Sequence, residues 1–217
     1  MTLLDFARGP ALQWSLIILV AGTLWRLLGA LLIRRETDLS QPRSDATVSG
    51  GVRTMFSRFV PRKEFHDNAM LAVVLGFVMH IGLAIVVFLF TPHILFFDSV
   101  FGVSWPGLPS NLVMAAGVLT VASLVALLVR RWNTPLLKMI SSADDYISLL
   151  VTLIPVVTGM MAYAHVGGPY QTVLAIHILS VEAMLIWFPF GKLFHAVAWI
   201  PSRAQLGATL QRRGVKA

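Results

Sequence analysis

Four histidines lie within, or at the ends of, long apolar runs. His177 and His195 belong to the run from Ile176 to Ile200 and are eighteen residues apart. At about 100° per residue, eighteen residues make about five whole turns. On a single helix both imidazoles would leave the same face, roughly 27 Å apart along the axis. His66 and His80 are fourteen residues apart. That is about 40° short of four turns, so they also share a face, roughly 21 Å apart. Imidazole is a common ligand of metals and haem, and an ionisable group inside an apolar span needs a reason to be there.

The elements that must position these rings are membrane helices. The 217 residues are 57% hydrophobic and 12% charged, with a mean hydropathy of +0.78. A soluble domain of this size cannot bury that much apolar sequence. Five spans are predicted, in a single all-α domain: about 11–33, 66–90, 111–129, 145–164 and 170–200. The first is too long for a signal h-region, and no small-residue cleavage site follows it. Arg26 lies inside it and is expected to snorkel towards Arg34 and Arg35. Pro155 and Pro189 are expected to bend the fourth and fifth spans. Glu36 to Gly51 reads as a polar loop, and Thr91–Ser110 as an aromatic connection lying in the interface.

The net charge of +7 is carried by loops and is not a nucleic-acid footprint. Seven basic residues fall between Arg34 and Glu64, three between Arg130 and Asp145, and five from Lys192 onward. The connections Thr91–Ser110 and His165–Tyr170 hold none, and the N-terminus holds only Arg8. Fifteen against one places the N-terminus outside and the C-terminus in the cytoplasm, in a multi-pass protein of the cytoplasmic membrane.

That orientation gives depths. The second span runs inside to outside and the fifth outside to inside, so His66 is expected to face His195 near the cytoplasm and His80 to face His177 in the outer half. Two facing pairs at matched depths suit two haems, each held by one ligand from either side of its iron. With no cysteine in the chain, thioether attachment and cysteine-held iron–sulfur clusters are excluded, so both haems would be b-type and non-covalent. A zinc or di-iron site wants three or four clustered ligands, which the spacing does not offer.

Several residues keep two readings. Gly76 and Gly82 flank His80, either to admit a flat macrocycle or to pack helices. His93 and His165 sit at the outer ends of spans, either as interfacial histidines or beside a quinone headgroup whose protons they accept. Glu182, the one acid in the interior of a span, either pairs within the bundle or lines a proton path. Arg62, Lys63 and Lys192 either meet haem propionates or anchor the inner face. A transporter subunit or a haem-free membrane anchor are the rival classes. The first would want polar residues lining a path, and the second has no need of matched histidines.

From Phe188 to His195 the chain reads Phe-Pro-Phe-Gly-Lys-Leu-Phe-His, preceded by His177 and, further back, by Asp145-Tyr146. In this it resembles the respiratory nitrate reductase gamma-subunit family, which includes the membrane cytochromes b of sulfite-reductase-linked and heterodisulfide-reductase-like complexes. The resemblance implies that His66, His80, His177 and His195 are axial ligands of two haems b. It also implies quinol or menaquinol oxidation near the outer haem and an iron–sulfur partner subunit on the cytoplasmic side, the chain being an electron-transfer subunit rather than a complete enzyme. The fourteen-residue interval departs from the shorter one of the nitrate reductase branch and leans towards the sulfur-linked branch.

Overall fold

In the computed structural model the described residues are 1–33, 39–61 and 63–215. Arg34, Arg35, Glu36, Arg62 and Lys216, named or counted above, lie outside them. The described residues form helices and no strands. In chain order the helices are α1 (Leu3–Leu32), α2 (Thr47–Ser57), α3 (His66–Leu89), α4 (Thr91–Phe101), α5 (Ser110–Asn133), α6 (Pro135–Ile140), α7 (Ala143–Ala164), α8 (Tyr170–Trp187) and α9 (His195–Arg212). Five of them, α1, α3, α5, α7 and α8, are long and apolar enough to cross a membrane. The chain is a multi-pass membrane protein.

Its outer surface is apolar. Trp14, Trp25, Leu71, Leu112 and Leu119 are all exposed, as side chains facing lipid should be. Small and polar residues occupy the seams instead. Gly82 lies so close to α5 that a Cβ there would overlap Thr120 Oγ1. Thr120 and Thr152 are buried and return their hydroxyls to the carbonyls of Ala116 and Ser148, each at 2.8 Å. This is how membrane helices bury hydroxyls while their backbones approach.

The packing runs α3 on α5, α5 on α7, α7 on α8 and α8 on α1. Helices α3 and α8, which carry the histidines, are not among these closely packed pairs.

Two expectations about connections change. The outer segment is not merely a loop. Pro92 starts helix α4, and Gly102 ends it in a left-handed conformation at φ 67°. Trp105 Nε1 then donates to the Phe88 carbonyl at 2.5 Å, folding the segment back onto the end of α3. On the basic side, part of the expected polar loop is helix α2. It crosses α9 at Gly50, Gly51 and Gly207, where any Cβ would strike the opposite helix.

The larger correction is to the fifth span, which is not one helix over 170–200. Helix α8 stops at Trp187 and α9 begins at His195, with a short 3-10 turn, Lys192–Phe194, between them. Pro189 cannot donate a helical hydrogen bond, and its ring crowds the preceding turn. The break is then pinned from three sides. Arg26 Nη1 donates to the carbonyls of Pro189 (2.8 Å) and Gly191 (3.4 Å), and its guanidinium lies 4.1 Å from the centre of the Phe194 ring. Arg26 therefore caps the broken helix end rather than snorkelling to the interface. Asp144 accepts the Lys192 amide at 3.1 Å. Asp145 bridges Arg131 at 2.9 Å and Lys192 at 2.5 Å, while forming a capping box with Ser142. At Gly191 a Cβ would collide with Trp187 Nε1.

Candidate functional site

Two histidine pairs join α3–α4 to α8–α9. His80 faces His195, with ring centres 5.9 Å apart and planes at 83°. His93 faces His177, with ring centres 6.2 Å apart and planes at 20°. A metal–imidazole bond is about 2 Å and the ring centre lies about 1 Å beyond the nitrogen, so two imidazoles bound trans to one metal have centres about 6 Å apart.

The hydrogen bonds of these rings follow one rule. His80 Nδ1 bonds the Gly76 carbonyl at 2.7 Å, His93 Nδ1 that of Val86 at 2.8 Å, His177 Nδ1 that of Pro155 at 3.0 Å, and His195 Nδ1 that of Lys192 at 2.8 Å. A carbonyl only accepts, so each Nδ1 is the donor, and in the neutral ring that tautomer leaves a lone pair on Nε2. No Nε2 of the four has a hydrogen-bond partner among the described residues. A metal-ligating histidine is held in just this way, by a carbonyl that fixes its tautomer and aims the other nitrogen.

Local sequence explains each placement. His80 lies mid-helix, and its anchoring carbonyl belongs to Gly76, beside which a Cβ would meet nothing within 4 Å. Of the two glycines flanking His80, Gly76 thus borders open space while Gly82 serves packing on α5. His93 is on the first turn of α4, and the sharp turn at Phe90 brings its ring back to the level of Val86. There it stands edge-on to Phe90, whose ring in turn meets Tyr163. His93 lies beyond the end of α3, and burial pushes its imidazole below its ordinary pKa, favouring the neutral, ligating form. His177 fits against α7 because residue 159 is glycine, since a Cβ there would lie 2.9 Å from the ring. Thr158 Oγ1 adds a contact to His177 Nδ1 at 3.3 Å. His195 is delivered by the pinned break.

The structure therefore pairs the histidines differently from the sequence reading. His195 meets His80 rather than His66, and His177 meets His93 rather than His80. His66 is turned away, with Nε2 at 2.9 Å from the Pro61 carbonyl. Helix α8 ends at Trp187 rather than bending at Pro189 and running on to His195, and His93, expected at the interface or beside a quinone headgroup, is turned inward after Thr91-Pro92. The Pro92 and Pro189 breaks were the available signals, because angular counting fails across both.

His165 ends α7 in a left-handed conformation at φ 54° and stacks on Tyr170 with ring centres 4.9 Å apart. Its Nδ1 bonds the Tyr163 carbonyl at 3.0 Å. Lys192 is engaged by Asp145, which leaves its ammonium committed to the break. Among the described residues no group of three or more His, Asp or Glu side chains could hold a metal ion. Each pair could offer two imidazoles to one metal ion, with the remaining positions left to a macrocycle, and in that respect the donor set fits haem.

The chain is 32% identical over 207 residues to a protein of Nitratidesulfovibrio vulgaris (strain Hildenborough), an alignment covering 93% of this chain and 91% of that one. The chain belongs to the family of that protein. The relative's name carries no activity, so kinship extends the fold and not a function. No family model matches the chain, and no solved structure matches it.

Proposed function

We propose that this protein is a dihaem membrane cytochrome b, with one haem between His80 and His195 and a second between His93 and His177. It would act as the electron-transfer subunit of a complex like those of the nitrate reductase gamma-subunit family. The observation that carries the reading is the pair of facing imidazoles repeated twice, each ring fixed by a backbone carbonyl at Nδ1 and unpaired at Nε2.

Haem, when bound, supplies one-electron chemistry. The chain's residues do the rest. The four carbonyl acceptors fix each imidazole through its Nδ1. The spanning helices around them are apolar. The basic ends of the spans favour the orientation with α2 and α9 in the cytoplasm, which puts His93 and His177 towards the outside and His80 and His195 further in. With haem held at the two sites, the chain would connect quinol on the outer side with an iron–sulfur partner on the cytoplasmic side. His93 is occupied as a ligand in this reading. His165 remains as the proton acceptor for quinol, beside the aromatic rings of Tyr170 and Tyr163.

A visible spectrum with a pyridine haemochrome assay on the purified protein tests this. Paired low-spin b-type bands and two haems per chain are expected. A correctly folded, colourless protein overturns the proposal, as does one haem or none after expression with haem in excess.

A further inference from the structure

Glu182 is the acid that the electron path does not use. It lies in the C-terminal half of α8 and is 3% exposed, and its Oε1 has no hydrogen-bond partner among the described residues. Helix α8 packs against α1 as well as α7. A Cβ on Gly22 would lie 2.7 Å from Pro189, and Arg26 reaches the carbonyls of Pro189 and Gly191. The N-terminal turns of α1 pack against α8 as well, so the two helices run side by side in the same direction. On α1, Ser15 lies seven residues before Gly22, and seven residues return to nearly the same face; on α8, Glu182 lies in the last two turns before the break. Ser15 is 0% exposed and gives its hydroxyl proton to the Leu12 carbonyl at 2.8 Å. The Glu182 carboxyl is thus buried within a helix long and apolar enough to cross a membrane.

No permanent counter-charge serves it. On the elements packed against α8, the titratable or charged side chains are Asp5, Arg8 and Arg26 on α1, and Asp144, Asp145, Tyr146 and Tyr163 on α7. On α8 itself they are Tyr170 and His177. Asp5 caps Thr2, Arg26 holds the break, and Asp144 and Asp145 hold the Lys192 turn. None bonds Glu182. His177 is five residues away, about 140° round the helix and about 7.5 Å along it. The carboxyl is therefore close to that site but shielded from contact with it by the helix.

We propose that Glu182 is a proton-binding site coupled to the redox state of the metal held at His177. This rests on the cytochrome reading. When that site gains one electron, one proton from water adds to a carboxylate oxygen of Glu182 and forms an O–H bond. On oxidation the electron leaves the metal and the proton returns to water, so the local charge is unchanged in both directions. The oxidised site carries one more positive charge and favours the carboxylate, and the reduced site favours the acid. At about 10 Å and an effective dielectric near 20, one charge changes the carboxyl's proton affinity roughly tenfold.

The test is redox titration of both haems in the full-length protein between pH 6 and 9, with redox-difference infrared spectra. The midpoint potential of the His93/His177 haem should fall as pH rises, and a carboxyl C=O band should appear on reduction. In Glu182→Gln the potential should stay near its low-pH value and the band should vanish. Should that variant fail to fold, Glu182→Asp must keep the band at a shifted frequency. Two haems with pH-independent potentials, or a slope and band that persist in Glu182→Gln, overturn this proposal and leave the cytochrome reading standing. Absence of haem from the native protein overturns both.

Discussion

Five of the six histidines here give Nδ1 to a backbone carbonyl, but only His80, His93, His177 and His195 also face a second imidazole, whereas His165 stacks on Tyr170 and His66 turns Nε2 to Pro61. This distinction yields a prediction that separates the two pairings. His93→Ala should remove one haem of two, the outer one, while His66→Ala keeps both; difference spectra and haem counts on purified variants decide it. The outcome with the roles of His66 and His93 exchanged restores the pairing expected from spacing alone. The residue types were legible in the sequence: His80, His177 and His195 stand out because imidazoles in apolar runs are costly without partners. Their partners were not legible. Partner choice depends on where the chain turns, and a fourteen-residue interval matches a helical face whether or not anything stands opposite it.

At the scale of elements, the break between α8 and α9 determines where His195 goes. Pro189 ends the helix, and Arg26, Asp144 and Asp145 hold the end in place. Pro189→Ala should let α8 continue, carrying His195 off the His80 side. The expected result is selective loss of the His80/His195 haem with the other retained, read as one haem per chain. Asp145→Asn should loosen the same turn by leaving Lys192 and Arg131 without their shared carboxylate. The Asp145 side chain is 6% exposed but that of Lys192 is 52% exposed, so the cost should be about 2 kcal/mol, below the ~3–5 for a wholly buried pair. A lowered thermal midpoint with both haems still present at low temperature is the expected signature, and an unchanged midpoint would show that the ion pair does not hold the turn. Hydropathy made the five spanning helices legible, because runs of about 20 apolar residues have few alternatives in water. It could not reveal the break, since Phe188-Pro189-Phe190 is as apolar as the helix before it. The acidic start of α7 was visible as a helix cap, but its second task, holding a turn 48 residues away, exists only in three dimensions.

For the whole molecule, orientation decides what the two sites accomplish. Helices α5 and α7 and the turn before α9 bring Arg131, Asp145 and Lys192 to the same end, where α2 and α9 also cross. The opposite end carries α4, Trp105 and the Tyr163–His165–Tyr170 cluster, with no lysine or arginine between Thr91 and Ser110. Electrons entering at that apolar end and leaving at the basic end would cross the bilayer inward, and quinol protons released beside His165 would stay outside, so both movements add to the membrane potential in the same sense. The reverse orientation would dissipate it. The chain has no cysteine of its own, so single cysteines report position directly. Ser104→Cys, beside Trp105, and Thr209→Cys, on the exposed side of α9, keep their neighbours' contacts because both side chains are exposed. In intact cells with the outer membrane permeabilised, an impermeant maleimide should label Ser104→Cys at least tenfold more than Thr209→Cys, and lysis should equalise the two. Labelling of Thr209→Cys before lysis would reverse the topology that the basic residues favour, and with it the direction in which charge moves.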